Sequence, residues 1–272
     1  MVGKSAERPH QSWMKYLWNH IETIERRIRE SSEILLFLDF DGTVSPIVKN
    51  PDEARIDSEV ETILKTFIRS KKIRIIIISG RMLSELKKKI RVKGIDYVGN
   101  HGLEWELNGN YDRYPMDKND FESLDSAKKL LSSIKLEFPD VYLQDKILSL
   151  SVHYRNLKNV GENEFKKKFY ETLSKPRKNN AIHFREGKKV IDIYSKTGWN
   201  KGMAAKKIKK LLGDPLAISM GDDTTDEDMF KKLNDGITVR VGKDSNSSAE
   251  FYVKNISEVT RFLNLVATNI IK

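Results

Sequence analysis

Two carboxylates, Asp39 and Asp41, stand two residues apart where the apolar run Ile34-Leu35-Leu36-Phe37-Leu38 ends, and Gly42-Thr43 follows at once. On an extended chain, side chains two apart face the same side. Asp222, Asp223 and Asp226 follow a second apolar run, Leu216-Ala217-Ile218-Ser219-Met220-Gly221. Carboxylates gathered this closely repel, and some would be held protonated; a divalent cation removes the conflict. A donor set of oxygens without His or Cys favours Mg²⁺, which keeps several waters and pairs readily with phosphate. A carboxylate beside such an ion can attack phosphorus and form an acyl phosphate, while a second can protonate the leaving oxygen and then activate water. The tight turn at Gly42 and Thr43 aims backbone N–H groups at an anion. Ser79, in Ser79-Gly80-Arg81, offers a hydroxyl, and Lys201 a cation to balance a phosphate.

These groups come together only if a scaffold delivers them. Apolar runs at 34–38, 73–78, 95–98, 216–220 and 236–241 each meet a polar or glycine turn, the pattern of strands buried on both faces. Helical stripes lie between them: Val60, Ile63, Leu64, Phe67 and Ile68; Leu83, Leu86 and Ile90; Met203, Ala204, Ile208, Leu211 and Leu212; and a closing helix over 256–269. Strands alternating with helices predict an α/β fold with a doubly wound parallel sheet. Ligands of such a sheet bind outside the carboxyl ends of its strands. The first strand ends in Asp39 and Asp41, the second in Ser79 and Arg81, the third in Asn100 and His101, the fourth in Asp222, Asp223 and Asp226. All four ends open on one crevice.

The stretch 111–194 follows a different rule. It reads as a helix (121–137), a strand (147–154), a helix (162–173) and a strand pair (181–185 and 188–194) turning at Glu186-Gly187, with the polar–apolar alternation of an antiparallel sheet wet on one face. This predicts a small inserted α+β domain. The expected organisation is an N-terminal helical extension (1–30), a core in two parts (31–110 and 195–272) and the insert (111–194). From Ser12 to Glu30, Trp13, Tyr16, Leu17, Ile21, Ile24 and Ile28 recur at helical spacing, a stripe that docks on the core or on a partner.

Composition excludes several classes of function. The 272 residues include no Cys, which removes disulfides, thiolate zinc sites and a Cys nucleophile together. No apolar run approaches the roughly 20 residues of a membrane-spanning helix, and the N-terminus lacks a signal-type apolar core, so a cytoplasmic protein is expected. Lys and Arg number 49 against 39 Asp and Glu, a net charge of +10. The basic residues are scattered over helix faces, with no zinc knuckle or aromatic-interleaved stripe. The expectation is therefore no nucleic-acid partner, no membrane, and a monomer whose charge steers an anionic substrate.

Leu38-Asp39-Phe40-Asp41-Gly42-Thr43, Ser79, Lys201 and Gly221-Asp222-Asp223-x-x-Asp226 resemble the four motifs of the haloacid dehalogenase-like (HAD) phosphatases, with the insert as an α+β cap. The likeness spans about residues 34–262. The resemblance implies Asp39 as nucleophile and Asp41 as general acid/base. It implies phosphate binding by Ser79 and Lys201, to which the local turns add Gly42, Thr43 and Gly80. It also implies Mg²⁺ held by Asp39, the Asp41 carbonyl and Asp222, with Asp226 in support and Asp223 as either a ligand or a partner of one. Ile78-Ser79-Gly80-Arg81, Gly99-Asn100-His101-Gly102-Leu103-Glu104, Ser151-Val152-His153-Tyr154-Arg155 and Trp199-Asn200-Lys201-Gly202, with Gly221–Glu227, are similar to trehalose-6-phosphate phosphatases. In that family the cap closes over the disaccharide. Arg81, His101, Glu104, Lys146 and Arg155, with Asp192, are the positions this likeness marks as sugar contacts, and the synthase that makes the substrate is a partner it implies. Two departures stand out: Gln144 occupies a place usually held by Glu, and Asp192-Ile193-Tyr194-Ser195 stands where Glu-x-Arg-Pro is usual. Another sugar phosphate, such as sucrose 6-phosphate or a glycosyl-phosphoglycerate, is the alternative substrate. A non-enzymatic binding subunit would require a broken catalytic or metal position, and none is broken.

Overall fold

The computed structural model describes residues 14–48, 50–157, 161–179, 181–195 and 198–269. In chain order the elements are β1 (Lys15–Tyr16), α1 (Ile21–Glu30), β2 (Ile34–Leu38), α2 (Ser58–Arg69), β3 (Ile73–Ile78), α3 (Leu83–Lys89), β4 (Asp96–Gly99), β5 (Glu104–Leu107), β6 (Asn110–Arg113), α4 (Lys118–Glu137), β7 (Tyr142–Asp145), β8 (Leu150–His153), α5 (Glu162–Thr172), α6 (Ser174–Lys178), β9 (Ile182–Gly187), β10 (Val190–Ser195), α7 (Lys201–Leu211), β11 (Leu216–Gly221), α8 (Glu227–Lys232), β12 (Ile237–Val241), β13 (Phe251–Val253) and α9 (Ile256–Asn269).

Among the described residues these build two sheets. The larger runs β1-β13-β12-β11-β2-β3-β4-β5-β6, parallel from β1 to β4 and antiparallel beyond; the smaller is antiparallel, β7-β8-β10-β9. β2 shows why the parallel strands read as continuous apolar runs. Ile34, Leu36 and Leu38 pack into the core on one face, while Leu35 and Phe37 pack into the core on the other. The smaller sheet buries one face against α4 and α5 through Leu131, Phe165, Phe169, Ile191 and Ile193. Truncating Phe165 or Phe169 there would cost roughly 3–5 kcal/mol.

Several details depart from expectation. The helix predicted from Ser12 begins only at Ile21. Before it, Lys15–Tyr16 pairs in parallel with Phe251–Tyr252, closing the otherwise open edge of β13. Trp13 lies outside the described residues. Leu17, Ile24 and Ile28 are buried in the core, Tyr16 donates its hydroxyl to Glu258 (2.7 Å) and Arg27 donates to the Gly236 carbonyl (2.8 Å), so this stripe docks on the chain itself. Asn110–Arg113 pairs into the larger sheet through β5, so the expected start of the insert at 111 falls inside a strand of the core sheet. The strand expected over 147–154 is β8 alone, Leu150–His153, and β7 (Tyr142–Asp145) is a strand the pattern did not predict, with Ile147 between the two at φ +68°. The β9–β10 turn falls at Lys188-Lys189 rather than Glu186-Gly187, with Lys189 at a positive φ of 68°. Among the described residues no helix is long and apolar enough to cross a membrane.

Candidate active site

The crevice lies where the middle of the larger sheet ends. Met220 pairs with Leu38, and Leu38 with Ile77, so Asp222, Asp39 and Ser79 emerge side by side from β11, β2 and β3. Oxygens of Asp39, Asp222 and Asp226 all lie within 4.8 Å of one another, and the three side chains are buried. Asn200 caps α7 by accepting from the Met203 N–H (2.9 Å), which leaves Lys201 as the first helical residue. Its ammonium donates to Asp39 Oδ1 (2.7 Å) and Asp226 Oδ1 (2.8 Å). Asp226 Oδ2 accepts from the N–H groups of Asp222 and Asp223 at 3.1 and 3.0 Å. The turn after β2 has φ +86° at Gly42, where a Cβ would stand 2.3 Å from Asp222 Oδ2; glycine is what lets the two acidic loops approach.

Burial raises the Asp39 carboxyl well above its ordinary range; Lys201 opposes this, and the charges of Asp226 and Asp222 add to it. Burial likewise raises Asp222, against the pull of Lys188. Burial works against the Lys201 charge, but Asp226 and Asp39 outweigh it and hold the ammonium protonated. Three buried carboxylates thus carry more negative charge than the neighbouring amines neutralise. A small oxygen-loving divalent cation fits that donor set, and Asp39, Asp222 and Asp226 are the residues placed to hold it.

Asp41 points elsewhere. Its two oxygens accept from Arg81 Nε and NH2, both at 2.6 Å, and the guanidinium also sits 5.4 Å from the Phe40 ring centroid. Asp223 Oδ1 accepts from the Thr224 N–H (2.8 Å) and caps the turn that follows. The Gly42 and Thr43 N–H groups bond inward, to the carbonyls of Ser45 (2.7 Å) and Phe40 (3.4 Å), so the expectation that they face an anion does not match this turn. Thr43 donates its hydroxyl to Asp39 Oδ2 at 3.4 Å. Ser79 is buried at the crevice and its oxygen accepts from the Arg81 N–H (3.3 Å).

The smaller sheet faces this crevice and touches it through polar side chains. Lys146 donates to the Gly80 carbonyl (2.9 Å) and pairs with Asp192 (3.4 Å), which also receives His101 Nε2 (3.2 Å) and the Ser151 hydroxyl. Burial opposes the Asp192 charge, but Lys146, His101 and Ser151 outweigh it and hold the carboxyl far below the usual range. Burial lowers His101, leaving Lys146 as the cation of this cluster. A Cβ on Gly80 would stand 2.3 Å from His101 Nε2. Gln144 donates to Glu85 (2.8 Å), Arg185 pairs with Asp228 (2.6 Å), Asn100 donates to the Lys146 carbonyl (2.9 Å) and accepts from the Ser149 hydroxyl, and Lys188 reaches Asp222 Oδ2 (2.6 Å). Arg155 braces that last turn by donating to the Lys188 carbonyl (3.1 Å).

One cavity of about 440 Å³ joins the two sides, lined among others by Asp39, Asp41, Ser79, Gly80, Arg81, His101, Lys146, Arg155, Asp192, Lys201, Asp222 and Asp223. Glu104 is not brought to it: its carboxylate accepts from the Leu83 N–H (2.9 Å) at the start of α3. Lys188, Glu85 and Tyr142 line the cavity without having been singled out in the sequence. The only signal for Lys188 was its place beside a Gly-containing hairpin turn.

Residues 37–258 match the family described as trehalose-phosphatase. A relative described as probable trehalose-phosphate phosphatase J from Arabidopsis thaliana is 32% identical over 286 residues, covering 95% of this chain and 74% of its own length. The structure of a trehalose-6-phosphate phosphatase C-terminal domain from C. albicans superposes with a TM-score of 0.83 at 23% identity, covering 94% of this chain and 98% of that one. A haloacid dehalogenase-like hydrolase from B. subtilis shares the fold at a TM-score of 0.60 and 14% identity, over 87% of this chain and 99% of that one.

Proposed function

The chain belongs to the trehalose-phosphatase family and is a phosphoric monoester hydrolase; from that premise we propose that it hydrolyses trehalose 6-phosphate to trehalose and phosphate through an aspartyl phosphate on Asp39, with Mg²⁺ as cofactor and the smaller sheet as a cap closing over the sugar. The observation that carries the reading is the buried Asp39–Asp222–Asp226 cluster with Lys201 held between two of its members.

In this mechanism Asp39 attacks phosphorus from the end of β2, and Lys201, fixed at Asp39 and Asp226, supplies positive charge to the transferring phosphoryl group. Ser79 offers its buried hydroxyl to a phosphoryl oxygen. Asp41 gives a proton to the departing sugar oxygen and then takes one from the water that hydrolyses the aspartyl phosphate. Because Arg81 grips both Asp41 oxygens, that exchange requires Arg81 to release at least one of them. Mg²⁺, held by Asp39 and Asp222 with Asp226 in support, would neutralise phosphoryl charge and orient the phosphate for in-line attack. Asp192, Lys146 and His101 present a dense polar face to sugar hydroxyls, and the cap–core contacts exclude water while they hold. The domain division that suits this reading takes residues up to about 113 and from about 198 as the core, and 118–195 as the cap.

Phosphate release from trehalose 6-phosphate, sucrose 6-phosphate, a glycosyl-phosphoglycerate and glucose 6-phosphate tests the substrate. The expected result is a kcat/KM for trehalose 6-phosphate at least tenfold above the others; equal rates across the panel would overturn it.

A further inference from the structure

The cavity-facing side of the cap sheet carries a line of residues in cross-strand register. Gly187 on β9 stands opposite Val190 on β10, Val190 opposite His153 on β8, and His153 opposite Tyr142 on the edge strand β7. One end of this line is the β9–β10 turn, whose Lys188 reaches Asp222 in the acidic crevice. The other end is Tyr142. Val190 and Tyr142 lie two strand spacings apart, about 10 Å, which is further than a single pyranose ring reaches.

The parity of β7 shows which way Tyr142 points. Leu143 packs into the cap core and Asp145 turns back to Lys128 on α4, while Tyr142 and Gln144 line the cavity shared with Asp39. Tyr142 is 58% exposed and takes no part in the cap's apolar core. Its ring is held against His153, centroids 5.8 Å apart and planes tilted by 32°. His153 is in turn fixed by Gln144 Oε1 at 3.2 Å, and Gln144 by Glu85 of the core. Burial, with Lys146 adding to it, lowers His153 to about 4, so the imidazole against Tyr142 is neutral at neutral pH. Ile47, 48% exposed, lines the same cavity from the core side. An anchored, exposed aromatic face beside amide and imidazole groups suits a sugar ring, which offers an apolar C–H face and a polar hydroxyl rim.

We infer that Tyr142 is a binding platform for the sugar ring remote from the phosphoryl group, and that it sets the preference for two-ring over one-ring sugar phosphates. This rests on the reading of the site as a sugar phosphatase. A phosphoryl group at Asp39 leaves the ring that carries it near Val190 and His153, and only a second ring extends to Tyr142.

The test compares wild type, Tyr142→Ala and Tyr142→Phe on trehalose 6-phosphate, sucrose 6-phosphate, glucose 6-phosphate and p-nitrophenyl phosphate. Tyr142→Ala should raise KM for the best two-ring substrate roughly tenfold with kcat within twofold, the mark of lost uniform binding. It should leave glucose 6-phosphate and p-nitrophenyl phosphate within twofold, which also reports intact folding. Tyr142→Phe, which keeps the ring, should stay within threefold throughout. An unchanged two-ring KM, or an equal loss on all substrates, overturns the inference. If wild type prefers sucrose 6-phosphate and Tyr142→Ala selectively loses it, the trehalose reading falls while the platform stands; if wild type prefers glucose 6-phosphate to both two-ring substrates, the platform falls.

Discussion

The core crevice and the cap face line one cavity on opposite electrostatic plans. In the crevice, three buried carboxylates meet two lysines, Lys201 at Asp39 and Asp226 and Lys188 at Asp222, and negative charge is left in excess. On the cap, Asp192 is met by Lys146, His101 and Ser151, His153 is neutral and Tyr142 is uncharged, so polar groups answer one another within the protein. The first arrangement is poised for a cation and a phosphoryl group; the second is suited to many weak hydrogen bonds. Residues of the crevice should therefore govern turnover, and residues of the cap the choice among substrates.

The sharpest way to break this division is Asp39→Asn. Turnover should fall by roughly four to six orders of magnitude, on every phosphate ester alike, and a steady-state assay retaining more than a few per cent of activity would defeat it. Lys201→Met comes next. It leaves Asp39 and Asp226 buried without their shared cation, and should cost roughly 3–5 kcal/mol in denaturant unfolding of the metal-free protein; Asp39→Asn added to it should restore part of that loss.

A smaller effect separates the cap by pH. His153 has a folded value of about 4 against 6.5 for the free side chain. The unfolded chain binds its proton first, so the stability owed to neutral His153 is complete above pH 6.5 and drains away down to about pH 4. The stability difference between wild type and His153→Gln should shift across that window by at most about 3 kcal/mol, read by unfolding at each pH. Smallest is Asp192→Asn. It weakens the bonds from Lys146, His101 and Ser151, costs about 2 kcal/mol, and should raise KM for the sugar phosphate several-fold while p-nitrophenyl phosphate turnover stays within threefold. An equal fall on both substrates would show that the cap also governs the chemical step.

The same contrast explains what could be read from the residues alone. β2, β3 and β11 are legible because a strand buried on both faces is apolar almost throughout, and each ends in a turn whose polar residues line the crevice. Asp39, Ser79 and Asp222 follow from those ends, and Lys201 from the start of α7. The cap's strands are four to six residues long and owe their facing to their neighbours, so β7 does not stand out in the sequence pattern. β1 exists only because β13 offers it an edge. Lys188 is one of 49 basic residues and gains its meaning from a turn displaced by two positions. Glu104 misleads because it sits beside His101 in the chain, yet its carboxylate serves the amide end of α3. Arg81 stands at the crevice as expected, but clamped on Asp41.

The central claim is that Asp39 carries the phosphoryl group between substrate and water. Acid quenching within milliseconds after mixing the Mg²⁺-loaded enzyme with trehalose [³²P]6-phosphate, followed by peptide mapping, tests it directly. The account predicts a hydroxylamine-labile label confined to the peptide containing Asp39 and absent from Asp39→Asn. Label on another residue, or burst-free turnover with no labelled peptide in an enzyme that remains fully active, would contradict it.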